Sequence, residues 1–556
     1  MGTSRGAESF AVSGNIVDLE NEWIYPGTIH VENGHIAAIV PNKGRKKYDT
    51  FLLPGFVDAH VHIESSMLPP SEFARLAVRH GTVATVSDPH EIANVLGVAG
   101  VRYMIENGRT VPFKFFFGAP SCVPATDFET AGDAISSDEI AALLADDDIF
   151  YLTEMMNFPG VLDANSEVLQ KLRLARAAGK PIDGHAPGLT GDAAHTYFDP
   201  ALGITTDHEC FTLDEALGKL AVGPHVRILI REGSAARNFE ALLPLLKRHP
   251  ERCLFCSDDK HPNDLERGHI NQLVARAVHE GVDLFAALRA ASVNPVQHYR
   301  LPVGLLRIGD PADFIAVRDL TDLQVVQTYI DGQLVADSGE TRIPRLPAPG
   351  VNRFQASPTN PTDFIVIQGG AQMRVIVADD GQIVTRCEIV PVTAFKGEVQ
   401  LDIARDILKI AVVNRYTAGV APAVAFVRGF GLTRGAIAGS VAHDSHNVLV
   451  VGADDTEISR AVNAVTTAGG GLAVATPGRD VKILPLPIAG LMSGDDGFTV
   501  ARAYEVLDAE AKALGSALSA PFMTLSFMAL LVIPSLKLSD RGLFDGETFQ
   551  FTSLFV

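Results

Sequence analysis

Two histidines and a glutamate follow a run of apolar residues near the start of the chain. The stretch GFVDAHVHIESSM covers residues 55–67 and contains His60, His62 and Glu64. His60 and His62 are two residues apart, so on an extended segment both imidazoles point to the same side. Imidazole is a common ligand of divalent metal ions in proteins. The spacing therefore predicts that these two histidines share one ion at the end of a buried strand.

Polar residues of the same kinds follow other apolar runs further along the chain. Glu154 follows IFYLT, His185 follows KPIDG, His208 follows GITTD and Asp258 follows CLFCS. With the first two histidines, these groups could hold two divalent cations, with one carboxylate bridging them. Any one of these histidines alone would more often be a hydrogen-bonded core residue. Six such groups at five strand ends favour a metal centre, because buried titratable groups are costly unless a cation compensates them.

The elements that must position these groups recur with a regular rhythm. Eight apolar runs that end in polar residues lie within residues 51–295 and alternate with helix-like segments such as PSEFARLAVRH, SSDEIAALLADD, NSEVLQKLRLARAAG and NFEALLPLLKRHP. Ser or Asn stands at N-cap positions of these segments. Eight strand–helix units of this size predict a (β/α)₈ TIM-like barrel, in which catalytic groups lie at the C-terminal ends of the strands.

The segments on either side of the barrel region predict further units. Residues 1–50 contain VENGHIAAIVPNKG with an Asn-Gly hairpin signal, and a similar β-rich texture returns in residues 296–345. Each is too small to form a core, so we expect one small β-sandwich into which the barrel is inserted. After a Pro-rich link, residues 360–556 contain strands such as DFIVIQGG and MRVIVAD and later helices, which predicts a C-terminal α+β domain. The predicted fold class is therefore α/β.

Composition limits the classes of function. The chain has 556 residues, 47% of them hydrophobic, and a net charge of −20, which is typical of a globular protein with sizeable cores. So acidic a protein repels nucleic acid and anionic membranes, and we expect a small-molecule substrate instead. No run of about 20 apolar residues predicts a membrane span. The first ten residues, MGTSRGAESF, lack a secretory signal pattern, and the five cysteines are scattered, so we expect a cytoplasmic protein.

Several motifs together resemble a known family. PGFVDAHVHIESS resembles the strand-one signature of the amidohydrolase superfamily, and a split β-sandwich around a barrel is similar to that superfamily's architecture. SDPHEIANV, EMMNFPGV, GHAPGL, TDHE, CSDDKHP and GAIAGSVAHDSHN extend the resemblance to bacterial adenine deaminases over nearly the whole chain. The resemblance implies a binuclear centre of manganese or iron that hydrolyses adenine to hypoxanthine and ammonia in purine salvage. The ligand types alone are compatible with Mn²⁺, Fe²⁺ or Zn²⁺.

The same resemblance implies a place for each predicted ligand: His60 and His62 on one ion, His185 and His208 on the other, Glu154 as the bridge, and Asp258 completing the site. Many cyclic-amide hydrolases of this superfamily have a carboxylated lysine on strand four. Here Glu154 stands at that place and no lysine is near it in the sequence. This departure separates the chain from the dihydroorotase-like branch.

The expected reaction needs a nucleophile and two proton transfers. Water bound to two cations loses its proton near neutral pH, so a metal-bound hydroxide would attack C6 of adenine. Asp258 is the expected proton acceptor, which then passes the proton towards the departing ammonia. Glu209 and Glu91 are the two candidates for protonating the ring nitrogen N1. On an extended strand Glu209 would face away from His208, so a supporting role for Glu209 stays open.

Other polar motifs predict contacts around the centre. Asp88 and His90 in SDPHE end strand two and could orient the substrate or bind an extra ion. His443 and His446 in HDSHN have the spacing of metal ligands, although this stretch alone would equally well be a surface turn. Because it matches the family, we expect it to cover the barrel mouth and to exclude water. Arg231 in REGSAARN is expected to form a solvated or inter-helix ion pair.

Two other functions stay open from the residues alone. One is an amidohydrolase that acts on another cyclic amidine or amide, since a barrel of this kind does not determine the substrate. The other is a non-catalytic scaffold that inherited the barrel, although retention of all six predicted ligands counts against it. We also expect a homo-oligomer, a dimer, with no nucleic acid or membrane partner.

Overall fold

A computed structural model of the chain describes residues 9–44 and 47–556. Most of the segment examined for a secretory signal, residues 1–8, lies outside the described residues. Across the described part, no helix combines the length and apolar character needed to cross a membrane. The first four strands are β1 (Ser9–Asp18), β2 (Trp23–Glu32), β3 (His35–Pro41) and β4 (Phe51–Pro54).

Eight parallel strands then form a ring. One sheet holds the first five strands in sequence order and a second sheet holds the last three. Single parallel bridges from Ile182 to Ile204 and from Val61 to Asp258 join the two sheets and close the ring. The α/β fold class predicted from the alternating pattern is confirmed. The strands are β5 (Phe56–Val61), β6 (Thr82–Ser87), β7 (Lys114–Ala119), β8 (Ile149–Met155), β9 (Ile182–Gly184), β10 (Thr206–Asp207), β11 (Arg227–Arg231) and β12 (Cys253–Cys256).

Helices surround the ring, and their caps explain where several of them begin. The Ser136 hydroxyl accepts a hydrogen bond from the Glu139 amide, while the Glu139 carboxylate accepts one from the Ser136 amide. Asn165 caps the helix predicted in NSEVLQKLRLARAAG. The helices are α1 (Pro70–Ala77), α2 (His90–Leu96), α3 (Val98–Gly108), α4 (Ser137–Leu144), α5 (Phe158–Leu162), α6 (Ser166–Ala177), α7 (Gly191–Tyr197), α8 (Leu213–Val222), α9 (Phe239–Arg248), α10 (Pro262–Arg267), α11 (Ile270–His279), α12 (Leu284–Ala290) and α13 (Val293–Tyr299).

The two β-rich segments that flank the barrel in sequence meet in one eight-stranded sheet. Strand β4 pairs in parallel with β1 and antiparallel with β13, which links the two segments. Side chains alternate across β13, so Phe314 lies in the sheet's own core and Ile315 lies in the core shared with the barrel. The added strands are β13 (Phe314–Val317), β14 (Val325–Ile330), β15 (Gln333–Asp337) and β16 (Glu340–Thr341).

A second eight-stranded sheet lies in the C-terminal region. MRVIVAD contributes a strand to it as predicted, whereas DFIVIQGG forms only a single antiparallel β-bridge, from Ile367 to Glu398, and no full strand. The segment begins inside a 3₁₀ turn, Pro361–Phe364, which Asn360 and Asp363 cap and in which Phe364 is buried in a local hydrophobic cluster. The elements are β17 (Gln372–Val377), β18 (Arg386–Pro391), β19 (Ala394–Phe395), β20 (Glu398–Val399), β21 (Leu408–Val413), β22 (Ala423–Arg428), β23 (Ala436–Gly439), β24 (Val448–Gly452), β25 (Gly471–Ala475), β26 (Lys482–Pro485), β27 (Leu536–Ser539), β28 (Gly542–Asp545), β29 (Gln550–Phe551), α14 (Asp455–Ala468), α15 (Gly497–Ala513) and α16 (Pro521–Ser526).

The C-terminal region packs directly on the ring. The Ser493 amide donates to the carbonyl of Met67, and the Gly497 amide donates to the carboxylate of buried Glu72. Asn447 donates to the carbonyl of Thr130, which lies in the connection after β7. These contacts place the C-terminal region over the end of the ring where the strands finish. The domain boundaries proposed from sequence, 1–50 with 296–345, then 51–295, then 360–556, stay a prediction.

Phe314→Ala should destabilise the sheet that β1 and β13 share. Phe314 is fully buried and stacks on Tyr329 with ring centroids 4.5 Å apart, so its removal leaves a cavity. We expect the free energy of unfolding to fall by about 3–5 kcal/mol, measured by urea denaturation. Val40→Ala, on edge strand β3 and 45% exposed, is the control and should change it by less than about 0.5 kcal/mol. Equal effects of the two substitutions would contradict this packing.

Candidate metal centre

The six predicted ligands converge at the C-terminal end of the ring. All six are buried, with at most 4% of each residue exposed. Each lies among the last residues of a ring strand or just after it, on five of the eight strands: β5, β8, β9, β10 and β12. The positions are His60 and Glu154 within β5 and β8, His62 directly after β5, His185 directly after β9, His208 directly after β10, and Asp258 two residues after β12.

Glu154 lies at the centre of the group, with one carboxylate oxygen facing each pair of histidines. Its Oε1 is 3.3 Å from His62 Nε2 and 3.9 Å from His60 Nε2. Its Oε2 is 2.7 Å from His185 Nδ1 and 3.2 Å from His208 Nε2. A carboxylate whose two oxygens face different histidine pairs has the arrangement of a bridging ligand.

Asp258 approaches the first histidine pair from the other side. Its Oδ1 lies 3.4 Å from His62 Nε2 and 3.6 Å from His60 Nε2. The backbone positions it, because the Asp258 amide donates to the His60 carbonyl and the His62 amide donates to the Asp258 carbonyl. These two hydrogen bonds are part of the junction that closes the ring. The backbone contacts that close the ring therefore also place Asp258 beside this histidine pair.

The residues fit divalent cations. Ligand atoms of His60, His62 and Asp258 lie within 4.8 Å of one another, as do those of His60, Glu154 and His208. Buried His60 Nδ1 and His185 Nε2 have no hydrogen-bond partner among the described residues. Imidazole nitrogens and carboxylate oxygens without thiolate match ions such as Mn²⁺, Fe²⁺ and Zn²⁺. Crowded, desolvated ligand atoms of this kind are stabilised when a cation lies between them.

The electrostatics keep the carboxylates ionised. Burial raises the pKa of Glu154, but His208 and His185 outweigh burial and hold that pKa well below its usual range. Burial also raises the pKa of Asp258, and Arg231 and the histidines reverse the effect and hold it well below its usual range. Metal ligation requires carboxylates in this ionised form. The cluster is therefore preorganised to receive positive charge.

Arg231 is a site residue that the sequence reasoning placed wrongly. The sequence predicts a solvated or inter-helix ion pair for Arg231, but only 1% of this residue is exposed. Its Nη1 donates to Glu209 Oε1 at 2.5 Å and to Asp258 Oδ2 at 2.6 Å, and its Nη2 donates to Glu209 Oε2 at 2.8 Å. Arg231 is the last residue of β11, so the strand-end rule that found the ligands would also have found it.

The side chain of Glu209 also differs from expectation. It was expected to face away from His208, yet its Oε1 lies 3.3 Å from His208 Nε2 and 3.6 Å from His185 Nδ1. Strand β10 ends at Asp207, so the alternation of an extended strand does not continue to Glu209. Burial raises the pKa of Glu209, but Arg231 and the histidines lower it to about 2. Glu209 is therefore a fixed anion beside the second histidine pair.

The SDPHE motif lies against the first histidine pair. His90 Nδ1 is 3.0 Å from Asp88 Oδ2 and 3.7 Å from Glu154 Oε1. Asp88, His90, His62 and Glu154 form a further group with ligand atoms close enough for a metal ion. Glu91, in the first turn of α2, is not part of this group and accepts a hydrogen bond from the Ser65 hydroxyl at 2.8 Å.

The HDSHN motif joins the site from the C-terminal region, in the connection between β23 and β24. His443 stacks on Phe527 with ring centroids 4.7 Å apart, and both residues line the central cavity together with Asp444. His446 does not line that cavity; its Nδ1 accepts a hydrogen bond from the Ala442 amide. Ligand atoms of His443, His446 and Glu91 lie close together in a separate buried group.

A cavity lies directly on the metal-ligand cluster. Five of the six predicted ligands line it, all except His60, together with the apolar side chains of Met156, Ile383, Phe527 and Leu530. A polar, charged end and apolar walls suit a small flat ligand with one reactive polar edge. A larger cavity lies between β1, α12 and α13, and none of the candidate ligands lines it.

Two protein-family models match the chain. The model described as "Amidohydrolase family" matches residues 51–335, which is more than half of the chain. The model described as "Adenine deaminase C-terminal domain" matches residues 382–550. Together the two matches include every predicted ligand and the HDSHN motif.

Curated relatives match the chain over nearly its whole length. Adenine deaminase of Salinibacter ruber is 58% identical over 549 residues, covering 99% of this chain and 99% of that protein. Adenine deaminase of Sulfurovum sp. is 55% identical over 538 residues, covering 97% and 98%. Adenine deaminase of Methanosarcina acetivorans is 48% identical over 554 residues, covering 98% and 99%. The chain belongs to the adenine deaminase family. The resemblance seen in the motifs is confirmed.

Membership of the amidohydrolase family implies the use of divalent metal ions, and the ligand groups described above provide sites for them. In this adenine deaminase family member, ion pairs buried behind the ligands hold them in place. Lys219, fully buried in α8, donates to Asp207 Oδ2 at 2.9 Å, to Glu215 Oε1 at 2.7 Å and to the Ala186 carbonyl. Asp207 precedes His208, and Ala186 follows His185. Lys219 therefore fixes the backbone on which both histidines of the second pair depend.

Lys219→Met should weaken both the fold and the second pair of ligands. The substitution leaves Asp207 and Glu215 buried without their cation, which costs about 3–5 kcal/mol. We expect a lower free energy of unfolding in urea and a lower metal content per chain by elemental analysis. Lys512→Met removes an exposed lysine paired with Asp508 and should change stability by less than about 1 kcal/mol. Native stability and native metal content in Lys219→Met would refute this role of Lys219.

Proposed function

We propose that the chain catalyses the hydrolytic deamination of adenine to hypoxanthine and ammonia, a reaction of purine salvage. The observation that carries this proposal is Glu154, whose two oxygens face two histidine pairs and which lines the central cavity. The relatives named adenine deaminase support the choice of substrate, since they are up to 58% identical over almost the whole chain.

The ligand set would hold two divalent ions, Mn²⁺ or Fe²⁺, with Zn²⁺ also compatible. His60, His62 and Asp258 would hold one ion, His185 and His208 the other, and Glu154 would bridge them. When bound, such a pair of ions supplies a nucleophile from water at neutral pH and offsets the charge that develops on the substrate.

Asp258 is proposed as the proton acceptor. It lines the cavity, and Arg231 holds its Oδ2 at 2.6 Å while Oδ1 faces the first histidine pair. The carboxylate therefore has a fixed orientation, with one oxygen held by the guanidinium and the other directed to the reacting centre. A group held in this way can accept a proton from the attacking water and return it to the leaving amine.

Of the two candidates for protonating the ring nitrogen, the contacts favour Glu91 over Glu209. Both oxygens of Glu209 accept hydrogen bonds from Arg231, so this residue is better suited to orient Arg231 and, through it, Asp258. Glu91 does not line the cavity, but its Oε1 lies 3.7 Å from Nδ1 of His443, which does. We therefore propose that Glu91 supplies the proton for the ring nitrogen through His443.

The remaining residues of the sequence prediction receive positioning roles in this proposal. Asp88 would orient His90 at the edge of the first histidine pair, and His446 would support the loop that carries His443. The dimer and the cytoplasmic location expected from the sequence stay predictions.

Asp258→Asn should keep most of the bound metal and lose turnover. The amide can still ligate through oxygen but cannot accept the proton, so kcat should fall by about 10²–10⁴. The assay uses Mn²⁺-reconstituted protein with adenine, adenosine and guanine, and follows formation of hypoxanthine, inosine and xanthine, respectively, by ultraviolet absorbance. Metal content measured on the same sample separates loss of the base from loss of the centre. An unchanged kcat would refute the role of Asp258.

His60→Ala and Glu154→Lys should disrupt the two-ion centre. His60→Ala removes one ligand, and Glu154→Lys replaces the bridge by a cation, so both variants should bind fewer ions than the native protein. The readout is metal stoichiometry by elemental analysis, with His195→Ala, an exposed histidine on α7, as the control that keeps the native content. Native occupancy in either variant would remove that residue from the ligand set.

A further inference from the structure

Asp444 brings a carboxylate from the C-terminal region into the cavity. It is 2% exposed and lies in the loop between β23 and β24. Its Oδ1 is 3.5 Å from His90 Nε2 and 3.7 Å from His443 Nδ1. Its Oδ2 has no hydrogen-bond partner among the described residues. A buried carboxylate oxygen without a partner is costly, unless a ligand in the cavity supplies the missing hydrogen.

The position of Asp444 is set by His90. The imidazole of His90 has its Nδ1 3.7 Å from Glu154 Oε1 and its Nε2 3.5 Å from Asp444 Oδ1. One imidazole ring and its two contacts therefore separate the bridging carboxylate from Asp444. A purine is a flat fused bicycle, so it can place its six-membered ring at the metal centre and its five-membered ring towards Asp444.

The other walls of the cavity suit the flat faces of such a ring system. Phe527 stacks on His443 at an interplanar angle of 15°, and Ile383, Leu530 and Met156 add apolar surface. Apolar walls bind aromatic faces without selecting among bases, whereas polar groups at the ring edge select. Asp444 is positioned to accept a hydrogen bond from that edge.

We propose that Asp444 recognises the N–H group of the five-membered ring of a free purine base and so selects free bases over N9-substituted purines. This inference rests on the proposed function. An ionised carboxylate only accepts hydrogen bonds, and free adenine carries a ring N–H at N9 or N7. An N9-substituted purine, such as a nucleoside, lacks that hydrogen and would leave the buried carboxylate unpaired. Sites built around a buried hydrogen bond strongly reject analogues that lack it.

The test compares purine with 9-methylpurine, which differ at N9 and lack the amino group that reacts. Their dissociation constants are measured by calorimetry on Mn²⁺-reconstituted protein, for the native chain and for Asp444→Ala. We expect the native protein to bind purine more tightly by about tenfold or more, and Asp444→Ala to lose most of that preference by weakening purine alone. Equal affinities in the native protein, or the same preference in Asp444→Ala, would overturn the inference.

Asp540→Ala is the matched control. Asp540 is also a buried carboxylate of the C-terminal region, but its oxygens accept hydrogen bonds from Thr130 and Asn414 and it does not line the cavity. It should keep the native preference for purine, and a loss of preference equal to that of Asp444→Ala would count against a specific role of Asp444. If Asp444→Ala does not fold, as judged by circular dichroism and metal content, Asp444→Asn keeps the shape and should reduce the preference in the same direction.

Kinetics on the same proteins separate this inference from the proposed function. A native protein that releases no ammonia from adenine would refute the proposed function, whatever the binding preference. A native protein that deaminates adenine but shows no preference for purine over 9-methylpurine would refute only the role of Asp444. In Asp444→Ala, kcat/KM for adenine should fall while that for 9-methyladenine stays at its native value. An equal fall for both substrates would indicate general damage to the site and overturn the inference.

Discussion

The structure of the site depends on one buried carboxylate that lies between two pairs of histidines. Glu154 contacts His60 and His62 through one oxygen and His185 and His208 through the other. A carboxylate and four imidazoles buried together are not stable as isolated groups, because each has lost its hydration. Positive charge among these groups would compensate for that loss. Membership of the amidohydrolase family implies divalent metal ions, which carry such charge.

The cost of burying these groups explains the ion pairs that surround them. Arg231 contacts both Glu209 and Asp258, and Lys219 contacts Asp207 and the backbone beside His185. A fully buried pair contributes little net stability compared with apolar residues of the same size, but removing one partner is expensive. Such pairs are therefore well suited to fixing the geometry of the ligands.

The C-terminal region adds residues to the rim where the ligands lie. A barrel presents its catalytic groups at one face. Here Phe527, Ile383 and the loop with His443 and Asp444 line the space above the ligands. Exclusion of water strengthens every electrostatic interaction inside the cavity, including those with a bound substrate.

The eight strands of the ring, and the six predicted ligands at or just after the ends of five of them, could be predicted from the sequence alone, because apolar periodicity and strand-end positions are local features. It also predicted the helices capped by Ser136 and Asn165. Three features could not be predicted and are seen only in the folded chain: Arg231 is buried against Asp258, Glu209 turns towards His208, and DFIVIQGG forms only one β-bridge. The orientation of each of these side chains or segments depends on partners that are distant in the chain. It also depends on the exact residue at which a strand ends. The unpartnered oxygen of Asp444 could not be predicted from the sequence either, because the surroundings of Asp444 form only where two distant parts of the chain meet.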